Sequence, residues 1–145
     1  MRPGIHITKV WFDENVIELK IGVSDGTSIF SNKVYIGHDS IKKLVSQLEV
    51  FREQVHGGLL DVRLGEFGPE YANGAFHARL QFPRPGKLYV TCKMESEFRD
   101  FAKKNVASEA TLYLTLQPVL LDNFIDELKS LNSGKRDEAH FEAIE

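Results

Sequence analysis

The sequence predicts an α+β fold, an antiparallel sheet of about six to seven strands with two amphipathic helices on one face. Short segments in which apolar and polar residues alternate predict the strands. Two longer segments carry apolar residues at three- and four-residue spacing, which is typical of helices. The predicted order is β-β-β-α-β-β-β-β-α in a single domain over residues 1–131, followed by a polar, flexible tail over 132–145.

A hairpin near the N-terminus is the clearest strand pair. The run VIELKIGV, residues 16–23, alternates, and Asp25-Gly26 separates it from a second alternating run. Asp-Gly between two such runs is typical of a two-residue turn, which fixes the register of the strands. That register pairs Ile17 with Val34 and leaves Asn32 on the apolar face, where a bulge or an exposed strand end would accommodate it.

Two segments predict the helices. The first begins after Asp39, a favourable N-cap, and ends before Gly57-Gly58, while the second follows Pro118. Their apolar stripes comprise Ile41, Leu44, Val45, Leu48, Phe51 and Val55 in the first helix, and Leu121, Phe124, Ile125, Leu128 and Leu131 in the second.

The remaining strands are predicted near residues 5–12, 60–64, 76–82, 88–94 and 110–116. Because each helix has one apolar stripe, both helices can pack on the same sheet face and leave the other face solvated. The residues predicted on that solvated face are Glu18, Lys20, Lys33, Tyr35, Asp61, Arg63, His77, Arg79, Tyr89, Thr91, Lys93, Thr111 and Tyr113.

Composition excludes several classes of protein. The chain of 145 residues is 42% hydrophobic and 27% charged, which is typical of a folded domain and unlike a disordered one. A net charge of −3 argues against a nucleic-acid-binding protein, which needs clustered Lys and Arg. No apolar run approaches the length of a membrane span or of a signal-peptide core, so the cytoplasm is the predicted compartment.

Motifs for metals, cofactors and nucleophiles are not recognisable. The single cysteine, Cys92, is predicted to be a small buried hydrophobe within a strand, and it excludes an intramolecular disulfide. The histidines show no pair at helical or strand spacing, so neither a metal site nor a cofactor is predicted. No serine lies in a glycine-flanked elbow, and no glycine-rich phosphate loop occurs.

The segment GEFGPEYANGAFHARLQF, residues 65–82, is the most unusual one in the chain. If its polar residues converge at one end of the sheet, they could act as acid and base or hold a cation. The same segment contains two turn signals, Gly68-Pro69 and Asn73-Gly74, and polar residues in such loops are commonly just solvated. A binding loop is therefore a better interpretation than an active site.

Aromatic residues suggest two further surfaces. Tyr35, Tyr89 and Tyr113 on the predicted outer face could stack bases, pack across strands or contact a protein. Phe98 and Phe101 lie in a long connection between strands, where they could pack at the edge of the core, cover a pocket or anchor a partner.

The segments KLYVTCKMES and NVASEATLYLTLQPVLLDNFIDELKSL resemble the C-terminal half of small bacterial immunity-type proteins, most closely those of the WapI-type immunity family. The helix IGHDSIKKLVSQLEVF and the strand GGLLDVRLGEF occupy matching places, so the resemblance runs from about Val16 to Leu131. It implies an α+β protein that neutralises a toxin made beside it. It implies no catalytic residues.

The sequence therefore favours a non-enzymatic bacterial protein that acts by stoichiometric protein binding, with a toxin domain as the expected partner. The alternatives are an enzyme or small-molecule binder with a site near Tyr71, His77 and Arg79, and a homo-oligomeric housekeeping protein that pairs through its outer sheet face. The residues predicted to bind the partner are Arg63, Glu66, Glu70, Tyr71, His77 and Arg79.

Overall fold

The computed structural model describes residues 2–70 and 73–144. Its elements in chain order are β1 (Gly4–Phe12), β2 (Ile17–Ser24), β3 (Ile29–Ile36), α1 (Ser40–Phe51), β4 (Leu59–Gly65) and β5 (Asn73–Arg84). They continue with β6 (Lys87–Glu97), β7 (Arg99–Phe101), β8 (Lys104–Val106), β9 (Glu109–Leu116), α2 (Leu120–Ser133) and β10 (Glu138–Glu142).

The predicted α+β class, with antiparallel strands and two helices, is confirmed. The prediction of one sheet of six to seven strands is wrong, because the strands form two four-stranded sheets and a small hairpin. The first sheet has the order β10-β1-β2-β3, the second has the order β4-β5-β6-β9, and β7 pairs only with β8. Neither described helix is both long and apolar enough to span a membrane.

The β2–β3 hairpin forms as predicted but in a register two residues away. Ile17 pairs with Ile36 instead of Val34. The reason is the turn, in which the Asp25 carboxylate accepts hydrogen bonds from the backbone N–H groups of Thr27 at 2.9 Å and Ser28 at 2.7 Å. This Asx-type turn lengthens the loop by two residues. A shift of two leaves every side chain on its predicted face.

The prediction that Asn32 lies at a bulge or an exposed strand end is wrong. Its side chain is 7% exposed, and its Nδ2 donates hydrogen bonds to the backbone oxygens of Ala75 at 3.3 Å and Glu95 at 2.9 Å. Both acceptors belong to the second sheet. The two sheets approach closely here, since a side chain on Gly74 would overlap the backbone oxygen of Lys33. Asn32 thus connects the sheets by hydrogen bonds.

One hydrophobic core is built from both sheets and both helices. Phe51 of α1 stacks on Phe82 of β5, and Phe124 of α2 stacks on Phe141 of β10, with ring centroids 4.7 and 4.8 Å apart. The predicted apolar stripes of the helices face this core. The first helix ends at Phe51 rather than at Val55, which lies in the following turn but still packs against the core.

The segment predicted to be a flexible tail forms strand β10, which pairs with β1. Its inward side chains Ala139 and Phe141 are each 1% exposed. Alternation within this short strand places the polar residues Glu138, His140 and Glu142 on the other side. This strand is therefore an edge strand of the first sheet.

Candidate partner-binding face

The candidate site is the outer face of the second sheet, which turns away from the core. In the register of this sheet, Arg63 of β4 lies opposite His77 of β5, and His77 lies opposite Lys93 of β6. We call these three residues the cationic row. The neighbouring row across the same face consists of Asp61, Arg79, Thr91 and Tyr113.

Most residues of the two rows line a shallow depression of about 460 Å³. Its lining includes the whole cationic row together with Asp61, Arg79 and Thr91. Because these residues come from three adjacent strands, their backbone positions are fixed by the sheet ladder rather than by a loop. The depression is thus built on paired strands of the second sheet and not on a loop.

An ion pair occupies one side of the depression. The Arg79 guanidinium donates to both carboxylate oxygens of Asp61, with Nε–Oδ1 and Nη2–Oδ2 distances of 2.8 and 3.1 Å. These hydrogen bonds lower the pKa of Asp61 below its ordinary value. Asp61 therefore stays ionised at neutral pH, which suits an ion pair and not a general acid.

His77 is held by the chain that follows β4. Its Nε2 donates a hydrogen bond of 3.0 Å to the backbone oxygen of Gly65, and the Phe67 ring meets it edge-on with centroids 4.6 Å apart. The imidazole is half-buried as a result. These contacts fix its orientation between Arg63 and Lys93.

The loop after Gly65 is anchored to the sheet at Gly68. The backbone N–H of Gly68 donates to Glu95 Oε1 at 2.7 Å, and the Phe98 ring packs so closely that a side chain on Gly68 would overlap it. Phe98, one of the two phenylalanines considered as anchors for a partner, thus packs against the loop that follows β4. Phe101 is 67% exposed on the β7–β8 hairpin.

The structure thus brings together three of the predicted partner-binding residues, Arg63, His77 and Arg79. Glu66 and Glu70 are exposed in the loop, and no hydrogen bond or ion pair within residues 2–70 and 73–144 joins either to His77 or Arg79. Tyr71 lies outside the described residues. The carboxylates of the loop therefore do not complete an acid–base pair with the histidine.

Lys93 was predicted to lie on the solvated face but was not selected as a site residue. Alternation could show its exposure, but only the pairing of β5 with β6 makes it a neighbour of His77. Tyr89 and Tyr113 lie on the same face, where they are 40% and 70% exposed. Tyr35, predicted to share that face, belongs to the first sheet, where its hydroxyl donates to Glu18 at 2.8 Å.

The pairing of β1 with β10 creates a histidine pair that the sequence did not reveal. His6 lies opposite His140, and their rings stack with centroids 3.9 Å apart. Burial, with repulsion from His6 and Arg2, lowers the pKa of His140. Among the described residues, no group of three or more His, Cys, Asp or Glu side chains could hold a metal ion.

Cys92 is fully buried in the core, as predicted. Burial raises the pKa of its thiol to about 12. Since the thiolate is the nucleophilic form of cysteine, this residue serves packing rather than chemistry.

Comparison with protein-family models, curated proteins and solved structures found no match to this chain.

Proposed function

We propose that this protein acts by stoichiometric binding of a partner protein through the outer face of the second sheet. The observation that carries the proposal is the juxtaposition of Arg63, His77 and Arg79 with two exposed tyrosines, Tyr89 and Tyr113. Arginine and tyrosine are enriched in protein interfaces and dominate their binding energy. A sheet presents such side chains on a rigid backbone, which lowers the entropic cost of binding.

The bonding of the polar residues favours binding over catalysis. Arg79 and Asp61 satisfy each other, and the hydrogen-bond partner of His77 Nε2 is a backbone oxygen, that of Gly65, and not a carboxylate. Among the described residues no carboxylate is hydrogen-bonded to His77 to form the base–orienter pair of a catalytic site. The ionised Asp61 lies beside a guanidinium that suppresses its basicity, so this ion pair is better suited to fixing a contact surface.

The expected partner is a toxin domain, as the resemblance to immunity proteins implies. In this proposal the protein works in the bacterial cytoplasm and covers the toxin's active site or blocks its assembly. A stable complex would bury at least about 1,000 Å² in total. The second sheet's outer face, together with the exposed loop residues Glu66 and Glu70, would supply the protein's half of that area.

The test is affinity capture of tagged protein from a lysate of the source organism, with the captured proteins quantified by mass spectrometry. We expect one partner at near-equal stoichiometry. The variant R63A/H77A/R79A should lose that partner, whereas K20A/K33A/Y35A on the first sheet should retain it. Thermal melts of both variants would verify folding. Equal capture by both variants would refute the proposed face.

A small-molecule site is the second candidate, and the depression of about 460 Å³ beside His77 and Arg79 favours it. In that case the bait would return no partner protein, and ligand-induced shifts in an NMR spectrum would cluster around the depression. Self-association through the same face is a further alternative. Light scattering would detect it as a dimer that R63A/H77A/R79A converts to monomer.

A further inference from the structure

The charge of the residues that line the depression differs in sign from that of the whole protein. The chain has a net charge of −3. The residues that line the depression include three permanent cations, Arg63, Arg79 and Lys93, and one carboxylate, Asp61. An acidic protein thus carries a cationic surface at the site proposed for its partner.

Two of these cations, Arg63 and Lys93, form no ion pair with any residue that the structure describes. Asp61 is engaged by Arg79 through two hydrogen bonds, so this pair contributes little net charge. Within the part of the chain that the structure describes, neither Arg63 nor Lys93 forms an ion pair at 4.0 Å or less. Some other cations are paired, for example Lys43 with Asp39 and Lys129 with Glu49, whereas Lys20 and Lys33 on the first sheet also form no ion pair among the described residues.

The sheet fixes the backbone positions of Arg63 and Lys93. Arg63 and Lys93 lie on β4 and β6, on either side of His77 on β5. Two strand spacings of about 4.8 Å separate their backbones by roughly 10 Å. Both are exposed, whereas His77 between them is half-buried. The cationic row therefore presents two donors from backbone positions at a fixed separation, with a half-buried histidine between them.

We propose that the partner presents an acidic surface to this face, with carboxylates that bind Arg63 and Lys93 across His77. This inference rests on the proposed function and specifies its partner. Arg63 can hold a carboxylate through two parallel hydrogen bonds, and Lys93 binds one as a point charge. Opposite charges also accelerate encounter, so association slows as salt is added.

A protein surface fits better than a nucleic acid. A nucleic-acid backbone is a continuous row of negative charges and requires a matching track of cations. Here Asp61 lies within the face, and the exposed carboxylates Glu66 and Glu70 lie in the loop that follows β4. These would repel a continuous polyanion but tolerate separate carboxylates. The exposed side chains of Leu59 and Tyr89 on the same face suit the apolar part of a protein interface.

The first experiment is an NMR titration of the ¹⁵N-labelled protein with short homopolymers at low salt. We expect polyglutamate to shift the amide resonances of Arg63, His77 and Lys93, and polylysine to leave them unchanged. The shifts should disappear at high salt. No shift with polyglutamate, or tighter binding of oligothymidylate to these residues, would overturn the inference. Equal shifts at Lys20 and Lys33 would also overturn it, because the face would then be no more cationic than the first sheet.

The second experiment uses charge reversal in the captured complex. R63E/K93E should weaken partner binding by about tenfold or more, mostly through slower association, as expected when exposed charges at an interface are changed. K20E/K33E is the matched control, since these two residues are likewise exposed on a sheet face and carry the same charge, although they lie directly opposite each other. R63Q/K93Q removes the two charges without reversing them and should cause an intermediate loss of partner binding. This result would distinguish an effect of charge from an effect of misfolding.

The outcomes distinguish this inference from the proposed function. If Y89A/Y113A abolishes capture while R63E/K93E leaves it unchanged, the face binds the partner but the partner is not acidic there. If none of these variants affects capture, both the face and the acidic partner are refuted. Loss with R63E/K93E and retention with K20E/K33E supports both.

Discussion

Replacing Asn32 provides the sharpest test of how the two sheets are joined. Its Nδ2 donates to the backbone oxygens of Ala75 and Glu95, and the side chain is 7% exposed. Asn32→Ala removes the donor and leaves two buried acceptors without it. Each such loss costs about 1–3 kcal/mol. The 2.9 Å bond to Glu95 should lie in the upper part of that range, and the 3.3 Å bond to Ala75 at its lower end.

We therefore expect Asn32→Ala to reduce the free energy of unfolding by about 2–4 kcal/mol. For a chain of this length, each kcal/mol lowers Tm by roughly 3 °C, so Tm should fall by about 6–12 °C. Urea unfolding followed by far-UV circular dichroism measures the first quantity, and a thermal melt measures the second. A loss below about 0.5 kcal/mol would refute the bridging role of Asn32, since unexceptional surface substitutions give changes of that size.

Asn32→Asp adds a test with a defined pH dependence. The carboxylate would face two backbone oxygens, which raises its pKa in the folded protein above the unfolded value of about 3.9. The folded state then binds the proton more tightly, so stability falls as pH rises above about 4. At neutral pH this variant should be less stable than Asn32→Ala. The control, Asn105→Asp on the exposed strand β8, should change little.

Three further predictions concern the first sheet and the core. Phe141→Ala should reduce the free energy of unfolding, measured by urea unfolding, by about 3–5 kcal/mol, because removing a ring that is 1% exposed leaves a cavity. The control is Phe12→Ala, which removes a ring that is 62% exposed. The pKa of His140 is lowered from 6.5, so the unfolded state binds the proton more tightly and stability should fall as pH drops below about 6.5. Unfolding curves of His140→Phe should show a weaker fall, and an unchanged one would contradict the assignment. Cys92, whose thiol has a pKa of about 12, should not react with a thiol reagent at mildly alkaline pH until urea unfolds the protein, and rapid labelling of native protein would refute its burial.

The faces of the strands and helices could be predicted because side-chain orientation is a local property. In a strand, successive side chains alternate, so the inward position of Val34 and the outward position of Lys33 follow from neighbouring residues. The predicted faces are correct despite a two-residue error in the register of the β2–β3 hairpin, because a shift by an even number of residues leaves each side chain on the same face. The helix stripes were equally local, with Leu48 and Phe124 buried as expected.

The strand at the C-terminus was missed because its local signal is weak. Only Ala139 and Phe141 face inward within Glu138–Glu142, and charged residues flank them. So short a strand is not stable alone. It forms because its backbone pairs with β1 and because Phe141 stacks on Phe124 of α2. Neither contribution is visible in the segment itself.

The candidate site was predictable in part for the same reason. Alternation alone placed Arg63, His77 and Arg79 on a solvated face. It could not show that Lys93 completes a row with Arg63 and His77, or that Tyr35 lies on a different sheet from Tyr113. Such neighbours depend on which strands pair.

The sequence by itself determined the α+β class, the helices, and which side of strands β2 to β6 and β9 faces the core, because these follow from residue spacing over a few positions. The tertiary structure decided the division into two sheets, the bridge at Asn32, the stacked histidines and the cationic row. These features join residues far apart in the chain. Their free energy comes from packing and hydrogen bonds between elements, which no local pattern records.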